Sequence, residues 1–353
     1  MGNAKDASRL ISALVAALAL SGFTGCTKPS EGLTAAQSLG ASADALKSST
    51  DKLANDIYLS CIRKTRYYRV YPDLTMPRRD ADEERANALA GCEQFNRVSA
   101  SNAVIANDLI YNYIKAIGEL SLDKQVQFNS EFEAVAKALD NFQIPGTSVK
   151  LSPESTKTGA QIASFVFEWA ASRYREGELA QAIVCVDKPL QAYSTELRRV
   201  YTEGYINGIL GLEKARIRHY YKFYSGLLAV KEPNVSSMQK LDGDSYDAYL
   251  PAIQNELAAR SYLELIKATA DAHTKVSKIF IASGYSDSDR TCASFFNPRP
   301  AKQPIQRSHS NPQSLNISLT KLPPKERLNL AMILLDFQQK AEPLIQAIKA
   351  SPP

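Results

Sequence analysis

The chain has 353 residues, enough for one large domain or two ordinary ones. With 44% hydrophobic and 22% charged residues, its composition excludes a polytopic membrane protein, a wholly disordered chain and a collagen-like one. Forty-two basic residues against 37 acidic ones leave a net charge of +5, too mild to point to nucleic acid, and three histidines argue against a multi-histidine metal site.

Lys5 and Arg9 precede an uncharged apolar run, Leu10 to Leu20. As helix this run covers about 16 Å, against about 30 Å of hydrocarbon core, which suits the apolar region of a secretory signal and not a membrane span. It leads into Phe23-Thr24-Gly25-Cys26. This segment resembles the lipobox of bacterial lipoprotein precursors, with Phe23 in place of the usual Leu. The resemblance covers residues 1–26. It implies a signal peptide at 1–25, acyl chains on Cys26, a tether at 26–32 and, with Thr27 following, sorting to the outer membrane facing the periplasm or cell surface. An ordinary cleaved signal with an incidental cysteine is the competing reading. Myristoylation at Gly2 is set aside because Asp6 stands where Ser or Thr is needed.

The rest of the chain reads as helix. Ala36, Leu39, Ala43, Leu46, Thr50, Leu53 and Ile57 alternate at spacings of three and four, giving one narrow helical stripe. A second helix is expected from Arg79, where Asp80, Asp82, Glu83 and Glu84 suit the positive end of its dipole, to Gly118. A shorter one covers Leu122 to Phe142, and Pro145-Gly146 marks a loop. The next, with Phe165 and Trp169, runs from Ser155 to Cys185, and Asp187 with Pro189 reads as the cap and first turn of its successor, which continues to Lys231. Asp244 or Ser245 is expected to cap a helix that stops at Ser283-Gly284. Tyr285 to Leu322, with Pro298, Pro300, Pro304 and Pro312, reads as an irregular, partly mobile crossover. A last helix, Lys325 to Lys349, opens after Pro323-Pro324 and carries Pro343.

The expected fold is all-α: an elongated bundle of long antiparallel helical hairpins at 33–283, an irregular loop at 284–322 and a helix at 323–353 packing on the bundle. Beyond Cys26 an even number of cysteines remains, with three connectivities. In an antiparallel hairpin, facing residues lie about equally far from the turn. The midpoint of Cys61 and Cys92 falls in the Pro72–Arg79 turn, and that of Cys185 and Cys292 between Pro233 and Asp244, so these are the expected pairs. Four reduced, buried cysteines are the alternative.

Sequence motifs for chemistry are few. His219, His273 and His309 are dispersed, and each reads as a surface or core-edge residue. Helical lipoproteins of the imelysin type carry G-x-H-x-x-E, but here His219 is followed by Tyr-Tyr-Lys and His273 by Thr-Lys-Val. Asp242-Gly-Asp244 and Asp287-Ser-Asp289 lack the ligand pattern of a calcium loop. No catalytic residue, metal or cofactor is expected. Gly204, Gly208, Gly211 and Ala215 suggest a close helix crossing or tolerance of bending, with Glu203, Glu213, Lys214 and Arg216 keeping the segment soluble.

One feature is basic and aromatic. Thr65-Arg-Tyr-Tyr-Arg-Val-Tyr71 resembles Arg218-His-Tyr-Tyr-Lys-Phe-Tyr224, each near the end of the first helix of a hairpin. Arg63, Arg66, Tyr67, Tyr68 and Arg69, extended by Arg218, Tyr220, Tyr221 and Lys222 if the hairpins run parallel, form the candidate partner-binding patch. Its expected partner is an envelope protein or an anionic cell-wall polymer. The competing reading packs the tyrosines inward and leaves the arginines merely solvated. The expected function is a lipid-anchored envelope scaffold or binding protein without catalysis. The alternative is a ligand-binding sensor or enzyme whose inter-helix site has no sequence motif.

Overall fold

The computed structural model describes residues 31–67, 79–120, 132–164, 178–231, 234–296 and 324–350. Residues 1–30 with Cys26, the tyrosine and arginine at 68 and 69, Trp169, His309 and residues 297–323 lie outside them. The described residues are helical apart from short turns and a single antiparallel bridge between Gln143 and Lys150.

Helix α1 spans Glu31–Lys64 and closes with a 3-10 turn, Thr65–Tyr67. Of the expected stripe, Thr50, Leu53 and Ile57 are buried. Helices α2 (Arg79–Gly91) and α3 (Arg97–Leu120) run on through a π-helical turn, Cys92–Asn96. This rod packs antiparallel to α1, as Lys47–Asp108, Tyr58–Glu93 and the Cys61–Cys92 pair show. Helix α4 is Phe132–Asp140 and α5 Pro153–Ser164.

Helix α6 (Glu178–Val200) passes through Asp187 and Pro189, correcting the expected boundary there. Proline costs a helix interior about 3 kcal/mol, but Val186 and Leu190 on either side are buried, and tertiary packing carries the helix across. Asp187 is therefore no cap. Its carboxylate bridges to α8, where it meets His273 Nδ1 at 3.0 Å and accepts from the Thr274 hydroxyl at 2.8 Å. His273 is buried, deeper than a core-edge position, whereas His219 is exposed. A ten-residue π-helical segment, Tyr201–Leu210, joins α6 to α7 (Gly211–Lys231).

Helix α8 (Val235–Ala282) begins earlier than expected. Asn234 is its cap, with the side chain accepting from the backbone N–H of Ser236 and Ser237. Asp244 and Ser245 lie inside the helix, since Gly243 costs it only about 1 kcal/mol. The helix does stop at Ser283-Gly284, where Gly284 takes φ +98°. Within the stretch expected to be irregular, Asp289–Phe296 forms a short helix, α9, which carries Cys292 to Cys185 with Cα atoms 5.1 Å apart. The Cys61–Cys92 separation is 5.7 Å, so both expected cysteine pairs stand at bonding distance. Helix α10, Pro324–Lys349, packs on α8 and α1.

The glycines of the π-helical segment meet a loop and not a helix, which corrects the expected helix crossing. A Cβ on Gly204 would sit 2.5 Å from Ile144, and one on Gly208 would sit 2.7 Å from Thr147. The loop between α4 and α5 presses its buried Phe142, Ile144 and Leu151 into the core at that point.

Candidate functional site

Two long helices run side by side and in the same direction, and their contacts climb in step. Asp56 of α1 accepts from the Tyr205 hydroxyl, Arg63 pairs with Glu213, and Tyr67 packs on Tyr220. Each rung sits one to two turns above the last on both helices, so the heptad-like spacing of α1 and of the π-to-α7 rod keeps one face of each in contact.

The middle rung is ionic and enclosed. Glu213 is 1% exposed; it accepts from Arg63 Nε at 2.7 Å, Arg63 Nη2 at 3.0 Å and the Ser60 hydroxyl at 2.5 Å. The other guanidinium edge donates to Asp56 at 2.6 Å, and Asn255 of α8 donates to the same carboxylate at 2.9 Å. Burial opposes the charge on Arg63, and the hydrogen bonds it donates to both carboxylates more than offset that, so it stays firmly protonated. Two expectations are corrected. Arg63 is not part of a solvent-facing patch, because its fork is committed to two buried carboxylates. Glu213 does not solubilise its helix, because it is that arginine's partner.

Above this rung the aromatic residues gather. Tyr67 contacts Tyr220 edge-on at 5.6 Å and Tyr221 at 6.2 Å, and Tyr220 lies 4.7 Å from Tyr224. All four tyrosines are half-buried, while Arg66, Arg218 and Lys222 around them are exposed. The hairpins thus run parallel, and the structure joins Tyr67 and Arg66 with Arg218, Tyr220, Tyr221 and Lys222 at one tip. The competing reading, tyrosines wholly packed inward, holds for a different set: Tyr193, Tyr201, Tyr205 and Tyr262 are in the core. Partial burial, then the neighbouring hydroxyl of Tyr67 and the carboxylates of Asp244 and Asp247, push the Tyr221 phenol up to about 12. The tip therefore presents both signs of charge around an aromatic floor.

Just below the tip an open groove of about 560 Å³ follows the Cys61–Cys92 bond. Its walls include the exposed apolar side chains Phe95, Val98 and Leu212, with Lys64, Asn102 and Gln143 among the polar groups. Burial lowers the Lys64 ammonium, partly countered by Glu213. Nothing in the sequence marked this groove, since its residues come from four separated segments. Among the described residues no cluster of side chains suited to a metal ion occurs, and no helix is long and apolar enough to cross a membrane. No protein-family model, curated protein or solved structure matches the chain.

Proposed function

We propose that the chain is an exported bacterial lipoprotein, anchored in the envelope through acyl chains on Cys26, whose helical body serves as a non-catalytic scaffold or binding protein with the tyrosine tip as its docking face. One observation carries this reading. Four half-buried tyrosines from two helices are held together by an enclosed ion pair and ringed by exposed cations. Rigid aromatic surface lowers the ordering cost of binding, and arginine at its edge pairs with carboxylate or phosphate. The groove below supplies apolar contact for an adjoining part of the same partner. An envelope protein or an anionic cell-wall polymer fits this chemistry. The lipobox resemblance supports the location. A diacyl chain retains protein at a membrane far better than a single acyl group, at about 0.8 kcal/mol per buried CH₂.

The test separates location from docking. Cys26→Ser is expected to leave the precursor uncleaved or to release it from the membrane, and normal fractionation of that variant would remove the anchor. Replacing Arg66, Arg218 and Lys222 together by alanine is expected to weaken capture of envelope components at low salt and to flatten its salt dependence. Unchanged capture by a folded variant would remove the tip from the account.

A further inference from the structure

The bundle carries another exposed apolar surface, at the end opposite the tyrosines. Helix α10 buries Leu330, Phe337, Ala341, Ile345 and Ile348, yet leaves Leu328 55%, Met332 61% and Leu335 55% exposed. Spacings of four and three place these three on one stripe about 10 Å long. A stripe of this kind also suits a helical dimer, but it gives way to Gln339 and Glu342 after Leu335. A seam between two copies needs apolar positions sustained over several heptads.

The register fixes where this stripe lies. Ser283–Glu326 and Lys275–Asp336 set α10 antiparallel to α8; Lys214–Glu256 and Arg218–Tyr249 set α8 antiparallel to α7, which runs parallel to α1, and Asn255–Asp56 fixes the register of α8 on α1. Counting equal numbers of residues from these contacts brings Glu31, the last turn of α8 and the first turns of α10 to one level. The same counting from Lys47–Asp108 brings the end of α3 there too. Ile281, exposed on the last turn of α8, shares this end, as do exposed Lys278 and Lys325. Asp287 and Asp289 lie on the chain just past that turn, so the charge at this end is mixed. Apolar area, and not charge, is its distinguishing property.

We propose that Leu328, Met332 and Leu335, with Ile281, are a foot that rests in the surface of the lipid bilayer. The proposal builds on the reading of Cys26 as the acylated residue. The few residues between Cys26 and Glu31 reach at most about 18 Å when extended, so an anchored cysteine keeps this end of the bundle at the bilayer. Apolar side chains of peripheral helices bury about 5–10 Å deep at the boundary of headgroups and acyl chains, within reach of an exposed leucine or methionine side chain at this end. The foot would hold this end of the bundle at the bilayer that anchors it, with the tyrosine tip at the far end.

The test uses the mature chain carrying Cys26→Ser, made without its signal segment, so that no acyl group contributes. Co-sedimentation is measured with vesicles of phosphatidylethanolamine and phosphatidylglycerol, and with vesicles of phosphatidylcholine. Binding to both is expected. The triple change Leu328→Ser, Met332→Ser and Leu335→Ser is expected to lower the partition constant about tenfold or more, with an unchanged thermal melt because these side chains are exposed. If the triple variant melts early, Met332→Asp alone carries the comparison. Absence of vesicle binding by the parent, equal binding by the variant, or a concentration-dependent dimer abolished by the variant would each overturn the foot. Intact mass of the amino-terminal peptide from native membranes reports acylation separately, so loss of the anchor and loss of the foot give different results.

Discussion

Tyr201, Tyr205 and Tyr262 in the core and Tyr67, Tyr220 and Tyr221 at the tip pack in the same way in different surroundings. Ring pairs in both groups meet edge to face, Tyr201–Tyr262 at 5.3 Å and Tyr67–Tyr220 at 5.6 Å. In the core every hydroxyl is committed: Tyr205 to Asp56, Tyr262 to the Asn107 carbonyl oxygen at 2.7 Å, and Tyr201 as acceptor from the Asn107 amide at 2.7 Å. At the tip the rings are tied mainly to one another and their edges meet solvent. A buried phenol must satisfy its hydroxyl, so its neighbours are fixed by the fold; a half-buried one keeps contact area for a partner. The enclosed Asp56–Arg63–Glu213 rung lies between the groups and couples the first to the second.

The largest expected effect comes from that rung. Glu213→Ala leaves the Arg63 fork with one carboxylate instead of two, and a cost of about 3 kcal/mol is expected in urea unfolding. A cost under about 1 kcal/mol would show that water enters and that the rung is not enclosed. Next comes the hydroxyl contrast. Tyr205→Phe strands a buried carboxylate oxygen of Asp56 and is expected to cost about 1–3 kcal/mol, whereas Tyr221→Phe at the tip is expected to stay within about 0.5 kcal/mol. Equal costs would erase the distinction between the two groups.

The smallest effect is spectroscopic. Burial raises Tyr193, Tyr201, Tyr205 and Tyr262, and Tyr205 is raised further by the Asp56 carboxylate. A phenol harder to ionise folded than unfolded contributes stability that is intact below about pH 10 and is lost as pH rises beyond it. Ultraviolet titration should therefore show the Tyr221 phenol ionising reversibly near about 12, with the core phenols following only as the protein unfolds. A single reversible wave for all the tyrosines would contradict the assignment.

The stripe through Thr50, Leu53 and Ile57 was legible because helical period and burial coincide there. The cysteine pairs were legible because antiparallel helices make distance from the turn a ruler. Arg63 was misread for a physical reason. A basic residue at a helix end looks the same whether it meets solvent or a carboxylate, and its partner Glu213 is 150 positions away. The same holds for Asp187, where a cap-like Asp before a proline is a bridge to His273, contributed by a helix 86 positions on. Local signals placed helices well and failed where tertiary contacts overrode them, at Pro189, at Gly243 and at the ionic rung. The tyrosine tip was half legible: its repeat is in the sequence, but its assembly depends on α1 and α7 running parallel.

The most direct test of the proposed docking face is site-specific photocrosslinking in the cell envelope, the proposed location. A photoreactive residue is placed at Lys222 on the tip and, as the contrast, at Lys157 on the exposed side of α5. The account predicts a discrete crosslinked product from Lys222, reduced by Tyr67→Ala with Tyr221→Ala, and none from Lys157. Products of equal yield from both positions, or from Lys157 alone, would contradict it.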